Sequence, residues 1–103
     1  MKIYLLIKRE YGYEGDIEME EITAYVNEAD ANKIVEAFNN YGNQVKALDD
    51  EYARLDLYHH PELKGKITKL RRANRAKKEA LYYAHREQSA WEDMFVQAVE
   101  VNN

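Results

Sequence analysis

The amino-acid sequence predicts an α+β fold, a small three-stranded antiparallel sheet with a long antiparallel helical hairpin, in the order ββααβ. Three observations predict it. Apolar residues recur at alternating steps of four and three from Ile34 to Leu55, the spacing of a coiled-coil seam. β-favouring segments stand near both ends of the chain, at 3–7 and 94–101. One proline and four glycines in 103 residues favour a few long elements.

The composition describes a highly charged chain that we expect to form a single domain, 1–103. Residues 1–61 carry 6 basic and 13 acidic side chains, net −7, whereas residues 62–103 carry 9 and 6, net +3. The halves should therefore attract each other or partners of opposite charge. Cysteine is absent, which excludes disulfides and thiolate metal sites. No apolar run approaches the roughly 18 residues of a membrane span, and no signal peptide is recognised, so we expect a cytoplasmic protein without membrane contact.

The first 26 residues predict a β-hairpin. The first strand covers 3–7, the segment 11–16 supplies two glycines for a loop, and the second strand covers 17–26. The alternation of the second strand slips near Glu20 and Glu21, which predicts either a β-bulge there or a strand that pairs only from Glu21 onward.

Residues 27–90 predict the helical hairpin. Asn27 is a suitable N-cap for a helix over 28–58, and the seam keeps its phase through Gly42, which favours one continuous helix over two helices joined by a turn at 39–43. Pro61 suits the first turn of a second helix, about 62–90. Its predicted inner face consists of Leu63, Ile67, Leu70, Ala73, Ala76, Ala80, Leu81 and Ala84.

The segment from Lys64 to Lys78 holds eight basic residues and no acidic one. We expect Lys64, Arg71, Arg75 and Lys78 to form one outward stripe, which is typical of a helix that follows nucleic-acid phosphates. The alternative is pairing inside the hairpin, because the acidic residues of 49–56 fall opposite 64–71. That alternative leaves Arg75, Lys77 and Lys78 with fewer acidic neighbours.

The sequence contains few residues that suggest metal binding or catalysis. His59 and His60 beside Glu62 could resemble a metal corner, but adjacent histidines point apart and no further ligand is suitably spaced, so we interpret them as a solvated turn and predict no metal. No nucleophile stands beside a base, and no glycine-rich phosphate loop is present. We therefore expect no catalytic residues, no cofactor and no enzymatic activity.

Exposed aromatic and apolar residues point to partners. Tyr11 and Tyr13 in the hairpin loop are candidate contacts for a protein partner, as are Arg71, Arg75 and Lys78; the alternative is that the tyrosines fold back onto the sheet. The first strand is apolar on both faces, so we predict a homodimer that covers the second face. Its interface candidates are Tyr4, Leu6, Tyr25 and Val96.

Several short segments resemble small bacteriophage proteins that pair a β-hairpin with a helix and a short closing strand. These segments are 1–6, Tyr13-Glu14-Gly15, Tyr25-Val26 and 27–31, with Val96–Val101 as the closing strand. The resemblance covers about half of the chain, and the long helical hairpin departs from it. It implies a phage or mobile-element origin and binding to a host complex, and it carries over no catalytic residues.

Three functions are compatible with these features. The first is a non-enzymatic protein-binding module that inhibits or modulates a host or defence complex. The second is a nucleic-acid-binding protein that uses 64–78. The third is an oligomer that sequesters a small ligand. The acidic net charge and the exposed tyrosines favour the first.

Overall fold

The computed structural model describes residues 1–56 and 59–102. Its strands and helices are β1 (Lys2–Tyr11), β2 (Ile17–Tyr25), α1 (Glu28–Arg54), a 3₁₀ turn (Pro61–Leu63), α2 (Lys64–Ala84), α3 (Arg86–Ser89) and β3 (Asp93–Glu100). The α+β class and the order ββααβ are confirmed, with α3 as a short addition. The chain divides into two compact units. Unit 1 is residues 1–40 with the chain from Glu87 onward, and unit 2 is Tyr41–Arg86.

Unit 1 contains a three-stranded antiparallel sheet with β1 at its centre, in the order β2-β1-β3. The closing strand lies beside the first one, as predicted. Tyr4 is opposite Tyr25 on one side and Ala98 on the other, and Leu6 is opposite Val96. Directly opposed residues share a face of the sheet, so the predicted interface candidates do lie on one face.

The β-bulge lies at a different position from the one predicted. Glu10 is opposite Met19 and Tyr11 is opposite Ile17, so the extra residue is Glu18 and not Glu20 or Glu21. Two cross-strand ion pairs explain the difference. Arg9 Nε lies 2.7 Å from Glu20 Oε2, and Lys8 Nζ lies 3.6 Å from Glu21 Oε1. These pairs fit the regular register, and the irregularity falls beyond them, next to the loop.

The loop between β1 and β2 needs its second glycine. The Gly12 N–H donates to Asp16 O at 2.7 Å, and the Gly15 N–H donates to Gly12 O at 3.0 Å. Gly15 has a φ of 84°, in the left-handed region that side chains other than glycine disfavour. The turn therefore closes at low steric cost.

Helix α1 begins as the sequence predicts and ends earlier. The Ala29 N–H donates to Asn27 Oδ1 at 2.9 Å, which is the N-cap bond. The helix runs without a break through Gly42 and ends at Arg54 instead of residue 58. The last two residues of the predicted helix, 57 and 58, lie outside the described residues. Helix α2 also ends early, at Ala84 instead of residue 90.

Within unit 2 the contacts between α1 and α2 run antiparallel. Arg71 Nε donates to Leu55 O at 2.8 Å, and Asn74 Nδ2 donates to Leu48 O at 2.8 Å. At the other end, the rings of Tyr41 and His85 are 5.8 Å apart. The predicted helical hairpin is thus present over this part of the chain. Among the described residues, no helix is long and apolar enough to cross a membrane.

The buried residues form two small groups. Leu6, Ile7 and Met94 of the sheet and Ala31 of α1 are buried in unit 1, and Ile67 and Asn74 are buried in unit 2. Leu6 and Ile7 point to opposite faces of the sheet, so each face has a covered centre. This corrects one predicted interface residue: Leu6 is 0% exposed in the single chain, so a second copy cannot bury it further.

Leu6→Ala should lower the free energy of unfolding by about 2–5 kcal/mol, because it leaves a cavity in the centre of the sheet. Urea unfolding checks this. Tyr13→Ala is the control, since Tyr13 is fully exposed at 106% and should change stability little. Equal urea midpoints for the two variants would show that Leu6 is not a core residue.

Candidate binding interface of the basic helix pair

Helix α2 turns a different face toward α1 than the sequence predicts. The residues turned inward are Ile67, Asn74 and Leu81, which are spaced by seven and which we call the inner row; the first two are buried and the third is half-buried. Ile67 and Leu81 were expected there. The remaining members of the predicted inner face are exposed: Leu63, Leu70, Ala73, Ala76, Ala80 and Ala84. The predicted face has Lys66 and Lys77 at its centre, and burying those charges without partners costs more than the leucines gain.

Asn74 is the polar centre of unit 2. It is 2% exposed. Its Nδ2 donates to Leu48 O at 2.8 Å and to Glu51 Oε1 at 3.2 Å. The side chain therefore has partners for both donor hydrogens, as a buried amide requires. These bonds join α2 to a backbone carbonyl of α1 and fix the rotation of α2.

One flank of α2 forms a cationic cleft with Tyr52 of α1. The guanidinium carbon of Arg71 lies 4.9 Å from the centroid of the Tyr52 ring, and that of Arg75 lies 5.9 Å from it. Arg75 also donates from Nη2 to the Tyr52 hydroxyl oxygen at 3.3 Å. The cleft has a volume of about 270 Å³. Its lining residues, which we call the arginine cleft, are Tyr52, Thr68, Arg71, Arg72 and Arg75.

The contacts within the arginine cleft determine how exposed Arg71 is and lower the pKa of Tyr52. Arg71 is half-buried against α1, so it does not belong to an outward stripe as predicted. The hydrogen bond from Arg75, helped by the charge of Arg71, lowers the pKa of Tyr52 below its ordinary value of 10.0, although desolvation opposes this. The cations thus stabilise negative charge at this position, which is the property expected of an anion-binding surface.

Internal pairing of the basic segment occurs at a different place from the one predicted. Lys78 Nζ lies 2.5 Å from Asp49 Oδ1, and both side chains are exposed. Lys78 therefore has an acidic partner, although the sequence predicted fewer acidic neighbours for it. Five other side chains make no hydrogen bond or ion pair with any residue of 1–56 or 59–102: Lys64, Lys66, Lys69, Arg72 and Lys77.

The opposite flank of α2 is apolar. A groove of about 310 Å³ lies between α1 and α2 in unit 2. Its lining residues, which we call the apolar groove, are Gln44, Ala47, Leu48, Lys77 and Leu81. Arg75 and Lys77 stand two residues apart, hence about 200° apart around the helix axis. The arginine cleft and the apolar groove are therefore separate surfaces of one helix pair.

The charges are segregated between the two units. Unit 2 contains 11 basic and 6 acidic side chains, net +5. Unit 1 contains 4 basic and 13 acidic side chains, net −9. The division is sharper than the two halves of the sequence suggested, because the acidic segment after Arg86 belongs to the unit that contains the sheet.

The other predicted partner residues have different environments. Tyr11 lies at the end of β1, half-buried, and its hydroxyl hydrogen-bonds Asp93 Oδ2 at 3.2 Å, so it is not a free loop residue. Tyr13 is fully exposed and stays a candidate contact. Tyr4, Tyr25 and Val96 are half-buried on one sheet face.

The two adjacent histidines contact neighbouring carboxylates. His59 contacts the Asp56 carboxylate, and His60 Nδ1 lies 3.6 Å from Glu62 Oε1. No group of three or more histidine, aspartate or glutamate side chains in the described part of the chain could hold a metal ion. Both histidines thus have a carboxylate within three residues along the chain.

Sequence reasoning missed Asn74. A signal for it exists, because Asn74 stands seven residues after Ile67 and seven before Leu81, in the phase of a coiled-coil core position. A lone amide in that phase, surrounded by lysines and arginines, is the pattern of a buried polar residue that fixes helix register.

Asn74→Ala should lower the free energy of unfolding by about 1–3 kcal/mol, because it removes two buried hydrogen bonds and leaves space at the helix contact. Thermal and urea unfolding measure this. Asn43→Ala is the matched control, since Asn43 is exposed on α1, and alanine there should be neutral or slightly stabilising. If Asn74→Ala is no less stable than the control, Asn74 does not anchor the helix pair.

Arg75→Gln should raise the pKa of Tyr52 toward 10.0, because it removes the hydrogen bond that is the main cause of the lowered value. A ¹³C NMR titration of the Tyr52 ring follows this. A lowered phenol pKa in the folded state contributes stability only at alkaline pH, and the contribution is lost as the pH falls through that pKa, so none is expected at neutral pH. Arg72→Gln is the control, and an equal shift in it would contradict the assignment to Arg75.

The interface therefore offers a cationic cleft, five cations without a partner among the described residues and an apolar groove, all on one helix pair. Comparison of the chain with protein-family models, with curated proteins and with solved structures finds no match.

Proposed function

We propose that the chain is a non-enzymatic binding protein that attaches to an acidic surface of another protein through unit 2. One observation carries the proposal. The same helix pair presents an apolar groove and several cations, such as Lys69 and Arg72, that have no partner within 1–56 and 59–102. Protein interfaces combine an apolar centre with a charged rim, and this surface has both parts.

Exposed apolar residues favour a protein partner over nucleic acid. Leu63, which ends the 3₁₀ turn before α2, and Leu70 of α2 remain 43% and 44% exposed. A phosphate backbone interacts favourably with cationic side chains and gains little from contact with aliphatic ones. The whole chain also has a net charge of −4, which opposes the approach of a polyanion but not of a protein with a local acidic patch.

The geometry supports a two-part binding mechanism. The cations increase the rate of encounter with an acidic surface and orient it. The apolar groove, whose floor is formed by the half-buried Leu48 and Leu81, then contributes contact area.

The resemblance to small bacteriophage proteins supports a host or defence complex as the partner. In this proposal the chain works in the cytoplasm of the host cell and inhibits or modulates the complex by occupying one of its acidic surfaces.

The experiment is affinity capture from a bacterial lysate, followed by measurement of the dissociation constant between purified components. Lys69→Glu together with Arg72→Glu should weaken the complex about tenfold or more, since like charges then face each other. Lys33→Glu is the matched control, because Lys33 is an exposed cation of unit 1. A complex that is equally sensitive to the control, or that nuclease treatment destroys, contradicts a specific protein interface on unit 2.

The arginine cleft favours nucleic acid as the second candidate function. Arg71, Arg72 and Arg75 line one cleft, and guanidinium groups bind phosphate oxygens well. Binding of DNA or RNA oligonucleotides would then fall steeply with salt concentration. Arg72→Gln should reduce the salt slope by about one, whereas Lys33→Gln should not. Flat or absent binding at low salt rejects this candidate.

The predicted homodimer is kept here as a proposal for the sheet face that bears Tyr4, Tyr25 and Val96. These residues are half-buried in the single chain and have surface left to bury. Since Leu6 is a core residue, Tyr25→Glu is the informative variant. Sedimentation equilibrium should give a dimer for the wild type and a monomer for Tyr25→Glu. A wild type that stays monomeric at high micromolar concentration contradicts the proposal.

A further inference from the structure

The exposed face of α2 carries a second row of residues spaced by seven. Leu63, Leu70, Lys77 and Ala84 are all exposed, and steps of seven residues, nearly two helical turns, keep them on one face. We call them the outer row. Lys77 also lines the apolar groove. The outer row therefore continues the surface of the groove along α2.

The apolar groove and the outer row together form a surface on which a third helix could pack. Leu48 of α1 and Leu81 of α2 are its half-buried floor. A helix that lies between two others inserts its apolar side chains into such holes, which is how helices pack in coiled coils. The inner row is already occupied by α1, so a third helix would contact the outer row.

The charge around the apolar groove and the outer row indicates which kind of helix fits them. Lys66 and Lys77 lie on the exposed face and make no ion pair or hydrogen bond in the described part of the chain. Helix α2 has no acidic residue before Glu79. On α1 the lining residues Gln44 and Ala47 are neutral. The surface is therefore apolar with a positive border, which complements an amphipathic helix with a negative border.

Two other occupants fit less well. The same face of a second copy would place Lys66 and Lys77 near their own equivalents, so like charges would repel. Nucleic acid would find only isolated lysines here, whereas the arginines of the cleft lie about 120–160° away from Lys77 around α2.

We propose that the apolar groove and the outer row bind an acidic amphipathic helix of a partner protein. This proposal rests on the proposed function, for which it names the binding element and its chemistry. Recognition of this kind uses apolar anchors at helical spacing, seated in a groove. The negative side chains of the partner helix would pair with Lys66 and Lys77.

NMR with a defined probe tests the proposal. The probe is a synthetic helix of 21 residues, the length of α2. It has leucine at positions that repeat in alternating steps of four and three, and glutamate at the other positions. It should bind saturably and shift the methyl signals of Ala47, Leu48 and Leu81. A matched peptide with lysine in place of glutamate should not shift these methyl signals. Equal shifts with both peptides, or no saturable shift with the glutamate peptide, overturn the proposal.

Three variants locate the binding surface. Leu70→Gln and Lys77→Glu should each weaken binding of the glutamate peptide about tenfold, a loss typical of an interface hot spot. Both residues are exposed, so the variants should keep the fold, which their NMR spectra verify. Lys33→Gln, at an exposed cation of unit 1, is the control and should change the affinity little. Shifts centred on Tyr52, Arg71 and Arg75 would overturn the proposal in favour of the arginine cleft.

Two outcomes separate this proposal from the proposed function. If a purified partner binds the wild type and both groove variants equally well, the binding function stands and the groove is not its site. If the methyl signals of Ala47 and Leu81 move with protein concentration and without peptide, a second copy occupies the groove, which also overturns the proposal.

Discussion

The hydrogen bond from Asn74 to the Leu48 carbonyl is the constraint on which the rest of unit 2 depends. Leu63 and Leu70 already lose more than half of their surface, so burying them fully by rotating α2 would gain about 1 kcal/mol each. The same rotation would leave the Asn74 amide without its partners at a cost of about 1–3 kcal/mol, and would bring Lys66 and Lys77 to the helix contact at a further cost. The observed rotation is therefore the stable one, although it leaves leucines exposed.

The rotation determines both surfaces of the helix pair. With the inner row against α1, Arg71 and Arg75 meet the ring of Tyr52, and the outer row is exposed on the opposite flank. The Leu48 carbonyl can accept this hydrogen bond only when Asn74 lies beside it. The Asn74 amide therefore also fixes the register of α2 along α1. Buried polar residues have this role in coiled coils, where they specify one arrangement among several apolar ones.

The sequence was sufficient for features that local chemistry decides. The Asn27 cap, the helix through Gly42 and the seam of α1 follow from capping, periodicity and propensity. The rotation of α2 could not be predicted in this way, because its apolar residues form two rows, and periodicity alone does not choose between Ile67 with Leu81 and Leu63 with Leu70. The choice is made by a bond to α1, 26 residues away along the chain. Tyr11 and the bulge at Glu18 were missed for the same reason, since contacts with Asp93 and the Arg9–Glu20 pair decide them.

The charges of unit 2 add little to the stability of the fold. Exposed ion pairs such as Lys78–Asp49 contribute about 0–1 kcal/mol, so additional cations without partners add nothing to the fold and repel one another. The cations lie on both flanks of α2 and therefore have different neighbours. Tyr52 and other arginines surround those in the arginine cleft, whereas aliphatic side chains surround Lys77 in the apolar groove. A ligand that follows one flank cannot reach the other without passing around the helix. We therefore propose different partners for the two surfaces, an acidic helix at the apolar groove and a phosphate-rich ligand at the arginine cleft, and substitutions on one flank would separate the two kinds of binding.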